Sequence, residues 1–254
     1  MSLRCLNDGG EGSRLLLDSV PRAEERIAVG ASLRAALEIW QARPGEIFTA
    51  LDPEGTAWRV RYGLADAGPF LVPFEQLPQS PESPLRIDLY QALPERERFE
   101  LVLEKATELG VGRIVPFESC RSITLEQRDA RQKKSHRWPH VLLRAARQCR
   151  RAELPCLTAV TGWDQVLYQA HQADLALLLY EKECGWRLGE ILRDERPRRV
   201  ALIIGPEGGF TPEEVEEARQ LGIVPVSLGP RLLRTETAAM AAIAAVQARL
   251  GDLG

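Results

Sequence analysis

One strand–turn–helix segment constrains the fold of this chain more than any other. Residues 200–204 form a fully apolar run, which is typical of a central strand in a parallel sheet. A glycine-rich turn follows at once. Thr211 and Glu214 then have the spacing of a capping box, with Pro212 at a position where a helix tolerates proline. Gly222 is expected just past the helix end. The segment therefore predicts a buried strand, a tight loop and a capped helix.

The rest of the second half repeats this alternation. Strand-like segments LRIDLYQAL, VGRIVPF, LALLLYE and VPVSLG are separated by helical segments such as ERERFELVLEKATELG and ETAAMAAIAAVQARLG. This order predicts an α/β domain with a parallel sheet. Earlier residues instead read as short strands around Pro53, Gly55 and Gly63, a pattern typical of a small β-barrel or sheet. The proline-rich segment 77–84 is the best linker candidate, and we expect two domains, 1–78 and 79–254.

Composition narrows the class of protein. The five cysteines form no CxxC pair, which favours reduced thiols and a cytoplasmic location. No apolar run approaches the roughly 18 residues that a membrane helix needs, and the polar N-terminus does not resemble a secretory signal. His136 and His140 are four residues apart, but Pro139 is expected to begin a helix that excludes His136. We therefore expect no membrane partner and no metal.

Charge is unevenly distributed along the chain. The net charge is −3, which by itself argues against a nucleic-acid partner. Yet residues 121–151 contain ten lysines and arginines, opposed only by Glu126 and Asp129. Such a cluster fits an RNA-binding surface, but it also fits a solvated helical face. Charge alone leaves both interpretations open.

The glycine loop, residues 205–210, is expected at the carboxyl end of a parallel strand, where open α/β sheets bind ligands. One glycine would serve a tight turn, whereas three suggest close approach by a ligand or another chain. A Walker A loop is excluded because Phe210 follows Gly209, and the dinucleotide fingerprint fails in its spacing and lacks the later acid. Glu207 would also repel a pyrophosphate. S-adenosylmethionine, a cationic cofactor, fits better, held by backbone of the loops 179–185, 205–210 and 228–235.

Four segments together resemble one known family. IGPEGGF, LGPRLLRTETA, KATELGV (105–111) and RQCRRAELP (147–155) are similar to segments of the RsmE-type ribosomal RNA uridine-N3 methyltransferases, which belong to the SPOUT class. The resemblance implies a parallel sheet with a trefoil knot, preceded by a small PUA-like β-barrel domain that binds RNA. It also implies a homodimer in which the last helix packs at the partner. From the residues alone, that alanine-rich helix is equally well a core helix.

The resemblance implies an S-adenosylmethionine-dependent enzyme that methylates N3 of a uridine in 16S ribosomal RNA of the small subunit. The N3 atom is a poor nucleophile until its proton leaves, so a nearby cation or base is needed. Arg234 is the candidate cation and Glu236 the candidate proton acceptor. The alternatives are a structural Arg234 tied to Glu236 or to a helix end, and a Glu236 that simply favours a helix start.

Two residue sets follow from these considerations. The cofactor-binding candidates are Leu179, Gly205, Glu207, Gly208, Gly209, Leu228, Gly229, Leu232 and Leu233, of which the last two would contact the adenine. The RNA-binding candidates are Arg121, Lys133, Lys134, Arg147, Gln148 and Arg151. Two rival functions stay open: a SPOUT enzyme acting on tRNA or on large-subunit RNA, and a non-catalytic RNA-binding or assembly factor.

Overall fold

The computed structural model describes residues 13–95, 98–132, 135–183, 185–193 and 195–254. Within these ranges the chain forms two compact units. The first comprises residues up to 82 together with 143–156, and the second comprises 83–142 and 157–254. The segment 143–156 therefore belongs with the N-terminal residues, although it lies far from them in sequence. The domain boundary near residue 78 stays a prediction.

The first unit is built on a four-stranded antiparallel sheet. Its strands have the order β1-β4-β3-β2 and one helix follows β1. Phe48, Trp58, Val60 and Leu71 are buried on the inner face of the sheet, and the buried Trp40, at the end of the helix, packs edge-on against Phe48. The short strands predicted from this half of the sequence are confirmed. The elements are β1 Ile27–Ala28, α1 Ala31–Ile39, β2 Ile47–Leu51, β3 Ala57–Ala65 and β4 Gly68–Gln76.

The second sheet has seven strands. Its order is β11-β9-β10-β5-β6-β7, with β8 also paired to β6. The strands are β5 Arg86–Ala92, β6 Arg113–Glu118, β7 Cys156–Leu157, β8 Thr161–Gly162, β9 Leu175–Leu179, β10 Arg199–Ile204 and β11 Val224–Val226. The helices are α2 Arg98–Glu108, α3 Leu125–Gln132, α4 Trp138–Gln148, α5 Trp163–Ala170, α6 Leu188–Ile191, α7 Pro212–Gln220 and α8 Thr235–Leu250, and a short 3-10 helix covers Ser135–Arg137.

The predicted α/β architecture is confirmed in this sheet. β10 pairs in parallel with β9 on one side and with β5 on the other, and β11 pairs in parallel with β9. The apolar stretches of β9 and β10 are buried throughout, since helices cover the sheet. A cluster that includes Tyr90, Phe117, Val166, Leu178 and Phe210 forms part of the core. None of the helices in the described ranges is long and apolar enough to cross a membrane.

The predicted helix signals around α7 are also confirmed. Thr211 Oγ1 accepts a hydrogen bond from the Glu214 amide at 3.2 Å, and the Thr211 amide donates to Glu214 Oε2 at 2.8 Å. Pro212 is the first helical residue, as its fixed φ allows. Gly222 has φ +76°, so it ends the helix in the left-handed conformation. The capping box therefore fixes where the glycine loop stops and the helix begins.

A buried carboxylate links three strands near their amino ends. The Asp88 side chain on β5 is inaccessible to solvent, and Arg199 on β10 donates to its Oδ2 at 2.6 and 2.9 Å. Arg113 on β6 lies 3.9 Å from the same oxygen. Arg86, which is largely exposed, lies 3.4 Å from Oδ1. Asp88 therefore joins β10, β5 and β6 through charge as well as through the backbone ladder.

We expect Asp88→Asn to lower the free energy of unfolding by about 3 kcal/mol, because it leaves partly buried arginines without their counter-charge. The measurement is urea unfolding followed by circular dichroism. Arg86→Gln is the control: it removes only the exposed member of the cluster and is expected to cost less than about 1 kcal/mol. Equal losses in the two variants would contradict the proposed role of Asp88.

Candidate active site

A pocket of about 380 Å³ lies at the carboxyl ends of β9, β10 and β11. These strands are neighbours in the sheet, so the loops that follow them converge. Its volume is within the range of small-molecule sites. All nine residues predicted to bind the cofactor line this one pocket: Leu179, Gly205, Glu207, Gly208, Gly209, Leu228, Gly229, Leu232 and Leu233.

The three glycines of the loop each have a reason within the chain itself. Gly209 has φ +64°, a left-handed conformation that other residues rarely adopt. A Cβ atom on Gly205 would lie 3.1 Å from the Phe210 ring, and one on Gly208 would lie 3.2 Å from Cβ of Arg121. The sequence interpretation attributed the glycines to ligand approach. In the structure, turn geometry favours glycine at position 209 and close packing leaves little room for a side chain at 205 and 208, so approach by a ligand or another chain stays a prediction.

Arg121 stabilises the glycine loop through hydrogen bonds. Its Nη1 donates to the Gly208 carbonyl at 2.9 Å and to the Phe210 carbonyl at 3.3 Å. The adjacent Cys120 amide donates to Glu214 Oε1 at 2.8 Å, so the segment after β6 also contacts the cap of α7. Arg121 was predicted to bind RNA from its place in the basic cluster. Its guanidinium hydrogen-bonds to the loop that forms the pocket wall.

Thr235 joins the start of α8 to the strand ends. Its hydroxyl donates to the Gly205 carbonyl at 2.6 Å and accepts from Gln91 Nε2 at 2.9 Å. Both Thr235 and Gln91 are buried, so these bonds are shielded from water. Sequence analysis missed Thr235, although it lies inside LLRTETA. The available signal was a hydroxyl side chain at the first position of a mostly apolar helix.

Acidic and basic groups alternate beside the pocket. Glu207 accepts from the Glu95 amide at 3.0 Å and from Arg98 Nη1 at 2.9 Å. Arg98 Nε also lies 3.9 Å from Glu236 Oε1. Glu236 is 8% exposed, and no hydrogen-bond donor among the described residues reaches its Oε2. Arg98 thus interacts with two carboxylates. Sequence analysis missed it because the Glu207 contact joins residues 109 positions apart.

The two residues predicted to be catalytic occupy different surroundings. Arg234 is exposed, lines the pocket and precedes the first residue of α8. Glu236 is buried in the first turn of that helix and faces Arg98. One sequence alternative tied Arg234 to Glu236. In the structure Arg98 lies within ion-pair distance of Glu236, and Arg234 is among the residues that line the pocket.

Two of the predicted RNA-binding arginines contact residues of the first unit. Arg147 forms an ion pair with Glu46, and its guanidinium carbon lies 5.8 Å from the centre of the Phe48 ring. Arg151 is 5% exposed and pairs with Glu82 at 2.5 Å. Both side chains therefore have structural partners. Two of the ten basic residues in this stretch are thus paired with acids.

The other RNA-binding candidates are placed differently. Gln148 is exposed at the end of α4. Lys133 and Lys134 lie outside the described residues. His136 lies in the 3-10 helix and His140 in α4, so α4 excludes His136, as predicted from the position of Pro139. In the part of the chain that the structure describes, no group of three or more His, Cys, Asp or Glu side chains is arranged to hold a metal ion.

Residues 81–247 match the family model of the RNA methyltransferase domain, a range that includes the parallel sheet and most of α8. The chain is 34% identical over 172 residues to ribosomal RNA small subunit methyltransferase E of Bacillus subtilis, which covers 65% of this chain and 66% of the relative. It is 33% identical over 223 residues to the protein of the same name from Synechocystis, with 87% and 72% covered. These alignments span about two thirds of the curated relatives' lengths.

A solved structure extends the likeness to the whole fold. The crystal structure of a ribosomal RNA small subunit methyltransferase E from Neisseria gonorrhoeae, bound to S-adenosyl methionine, superimposes with a TM-score of 0.69. It is 30% identical in sequence, and the match covers 95% of this chain and 99% of that one. The fold and the pocket define an RNA methyltransferase domain. More narrowly, the chain belongs to the family of ribosomal RNA small subunit methyltransferase E.

Replacing Arg121 tests the bracing of the glycine loop. In Arg121→Gln, we expect the Gly209 amide, which donates to the Pro206 carbonyl, to exchange its hydrogen about tenfold faster. The loss of two hydrogen bonds to loop carbonyls is the physical reason. Hydrogen–deuterium exchange measured by NMR checks this, with the exposed Arg144→Gln as control. Unchanged exchange at residues 207–210 would show that Arg121 does not hold the loop.

Proposed function

We propose that this protein is an S-adenosylmethionine-dependent methyltransferase that methylates N3 of a uridine in the 16S ribosomal RNA of the small subunit. The observation that carries the proposal is the single pocket that brings together all nine predicted cofactor-binding residues at three adjacent strand ends. Membership of the family supports the RNA substrate. The relative from Neisseria gonorrhoeae, whose structure is described as bound to S-adenosyl methionine, supports the cofactor.

The chemistry of the pocket suits this cofactor. Leu179, Val226 and Leu228 supply apolar walls, and Leu232 and Leu233, the residues predicted to contact the adenine, line the same pocket. Glu181 and Glu207 line the pocket together with Arg98, Arg231 and Arg234, so acidic groups are available to the sulfonium and basic groups to the carboxylate of the cofactor's amino-acid part. Backbone of the glycine loop and of the loop at Leu228 would hold the nucleoside and amino-acid parts. When bound, the cofactor supplies an electrophilic methyl group on a sulfonium leaving group.

In the proposed reaction the protein's task is to make N3 nucleophilic. Arg234 would place positive charge beside the uracil oxygens and stabilise the anion that remains when the N3 proton leaves. Glu236 would accept that proton directly or orient an arginine, since no donor in the described part of the chain reaches its buried Oε2. Arg98 would position both Glu236 and Glu207 by pairing with each of them. The N3–methyl bond forms as the sulfur–methyl bond breaks.

The remaining features extend the same proposal. We infer a first domain over residues 1–78 that resembles a PUA-like barrel, a second domain over 79–254 with a trefoil knot, and a cytoplasmic homodimer that acts on the small subunit or its RNA. Met240 and Leu250 of α8 are partly exposed whereas Ile243 and Val246 are buried. The helix thus contributes to the core and keeps partly exposed apolar side chains that a second copy would cover. Gln148 and the exposed Arg144 would meet the RNA.

Filling the pocket tests the cofactor site. Ala238 lines the pocket on the first turn of α8, so Ala238→Phe is expected to abolish saturable binding of S-adenosylmethionine in a calorimetric titration. Ala248→Phe, at an exposed position of the same helix, is the matched control and should bind like the wild type. Thermal unfolding would verify that both variants fold. Normal binding by folded Ala238→Phe would place the cofactor elsewhere.

Removing the candidate cation tests the chemistry. We expect Arg234→Gln to lower kcat by about 10²–10³, as loss of one group that stabilises a developing anion usually does, with cofactor binding retained. The assay is methyl transfer to small subunits from cells lacking this gene, followed by nucleoside mass spectrometry for 3-methyluridine. Arg86→Gln, at the other end of the strands, is the control. Methylation of tRNA or large-subunit RNA instead, or of nothing, would favour a rival function.

A further inference from the structure

One face of the antiparallel sheet in the first unit carries arginine and phenylalanine side chains together. Leu71 and Pro73 on β4 are buried, so Phe70, Val72 and Phe74 face the opposite side, where each is only partly covered. On the neighbouring strand β3, Val60 points inward and Arg61 outward. We call this outward surface the Arg–Phe face and define it by Arg26, Arg59, Arg61, Phe70, Phe74 and Arg150.

The Phe70 ring lies across the backbone of β3. A Cβ atom on Gly63, the residue paired with Phe70, would fall 2.3 Å from Cζ and 2.6 Å from Cε2 of that ring. Only glycine therefore leaves room for the ring in this position. The Arg26 guanidinium carbon lies 4.6 Å from the ring centre. The pair presents an aromatic ring and a planar cation on an open sheet surface.

A second arginine–phenylalanine pair lies further along the same strands. The register shifts between Arg59 and Val60, so that Phe74 is an extra residue on β4 with no partner of its own on β3. The Arg61 guanidinium carbon lies 5.5 Å from the centre of the Phe74 ring. Phe74 therefore lies on the same face as Phe70. Two partly exposed rings, each beside an arginine, thus share one surface.

Positive charge accumulates at the same face. Arg59 Nη1 donates to the hydroxyl of Thr49 and, at 3.0 Å, to the Arg150 carbonyl. Burial, and then the nearby charge of Arg150, lower the pKa of Arg59 below its usual value. Glu75, opposite Arg59 on β4, offsets part of this repulsion. Bringing like charges together costs free energy, and a bound anion would recover it.

We propose that the Arg–Phe face binds an unpaired segment of RNA, with bases stacked on Phe70 and Phe74 and phosphates beside the arginines. Aromatic rings and guanidinium planes on an open sheet are the groups that stack splayed-out bases, and arginine also meets phosphates through its planar donors. A duplex, whose bases are already stacked, could not use the rings. This inference rests on the proposed function, since it supplies the RNA contact of the first unit.

Stacking is tested with conservative variants. Phe70→Leu and Phe74→Leu keep apolar area but remove the ring, so each is expected to weaken binding of a fluorescein-labelled oligouridylate of about 12 nucleotides by roughly tenfold in anisotropy titrations. Phe74→Trp should restore affinity, because a larger ring also stacks. Tyr168→Leu, which removes an exposed ring on α5, is the matched control. Arg26→Gln and Arg61→Gln should each reduce the salt slope of binding by about 0.7.

The contrary results are equally specific. Wild-type affinity in both leucine variants, or equal losses for the oligouridylate and for a duplex of matched length, would overturn the proposal. Thermal unfolding separates either result from misfolding. The titrations need no cofactor, so they stay informative if the wild type fails to bind S-adenosylmethionine and the proposed function fails. Conversely, retained cofactor binding in the leucine variants with weakened RNA binding would support both proposals.

Discussion

The hydroxyl of Thr235 is the contact on which the pocket depends. It donates to the Gly205 carbonyl just past the end of β10 and accepts from Gln91 on β5, all in a buried setting. A buried carbonyl without a donor costs about 1–3 kcal/mol, so the start of α8 is held at the strand ends. The loop before α8 must then pass beside the glycine loop. The pocket is the space enclosed by this arrangement.

The basic stretch shows how an acidic chain uses its arginines. Arg121 braces a loop, Arg151 pairs with Glu82, and Arg128 donates to the Pro94 carbonyl at 2.7 Å from a buried position. A guanidinium can satisfy several acceptors at once, which makes it suitable for such internal positions. A run of positive charge in sequence is therefore a weak measure of positive surface. The RNA contact proposed for the first unit rests instead on arginines placed by the structure, such as the exposed Arg26 and Arg61.

Sequence patterns predicted those structural features that depend on interactions between neighbouring residues. The apolar runs of β9 and β10 and the capping box at Thr211 depend on residues close in sequence. The Arg98–Glu207 and Thr235–Gly205 contacts could not be predicted from such short-range patterns, because the topology of the sheet brings those residues together. The convergence of three loops was predictable only because parallel strands end at one edge. The surroundings of each glycine in the loop could be seen only in the structure.

The charged side chains beside the pocket and their hydrogen bonding also bear on which ligand the pocket suits. Glu207 and Glu236 flank a single arginine, and Glu236 Oε2 is buried with no donor among the described residues. Arg98, Arg231 and Arg234 also line the pocket, so charge alone does not exclude a phosphate, but a phosphate would bring no hydrogen to the unpaired oxygen. An imide N–H would bring that hydrogen, and a cationic cofactor would meet the carboxylates of Glu181 and Glu207 in the same pocket. The proposed reaction supplies these two groups, and the departure of the imide proton is the step that a buried carboxylate acceptor would assist.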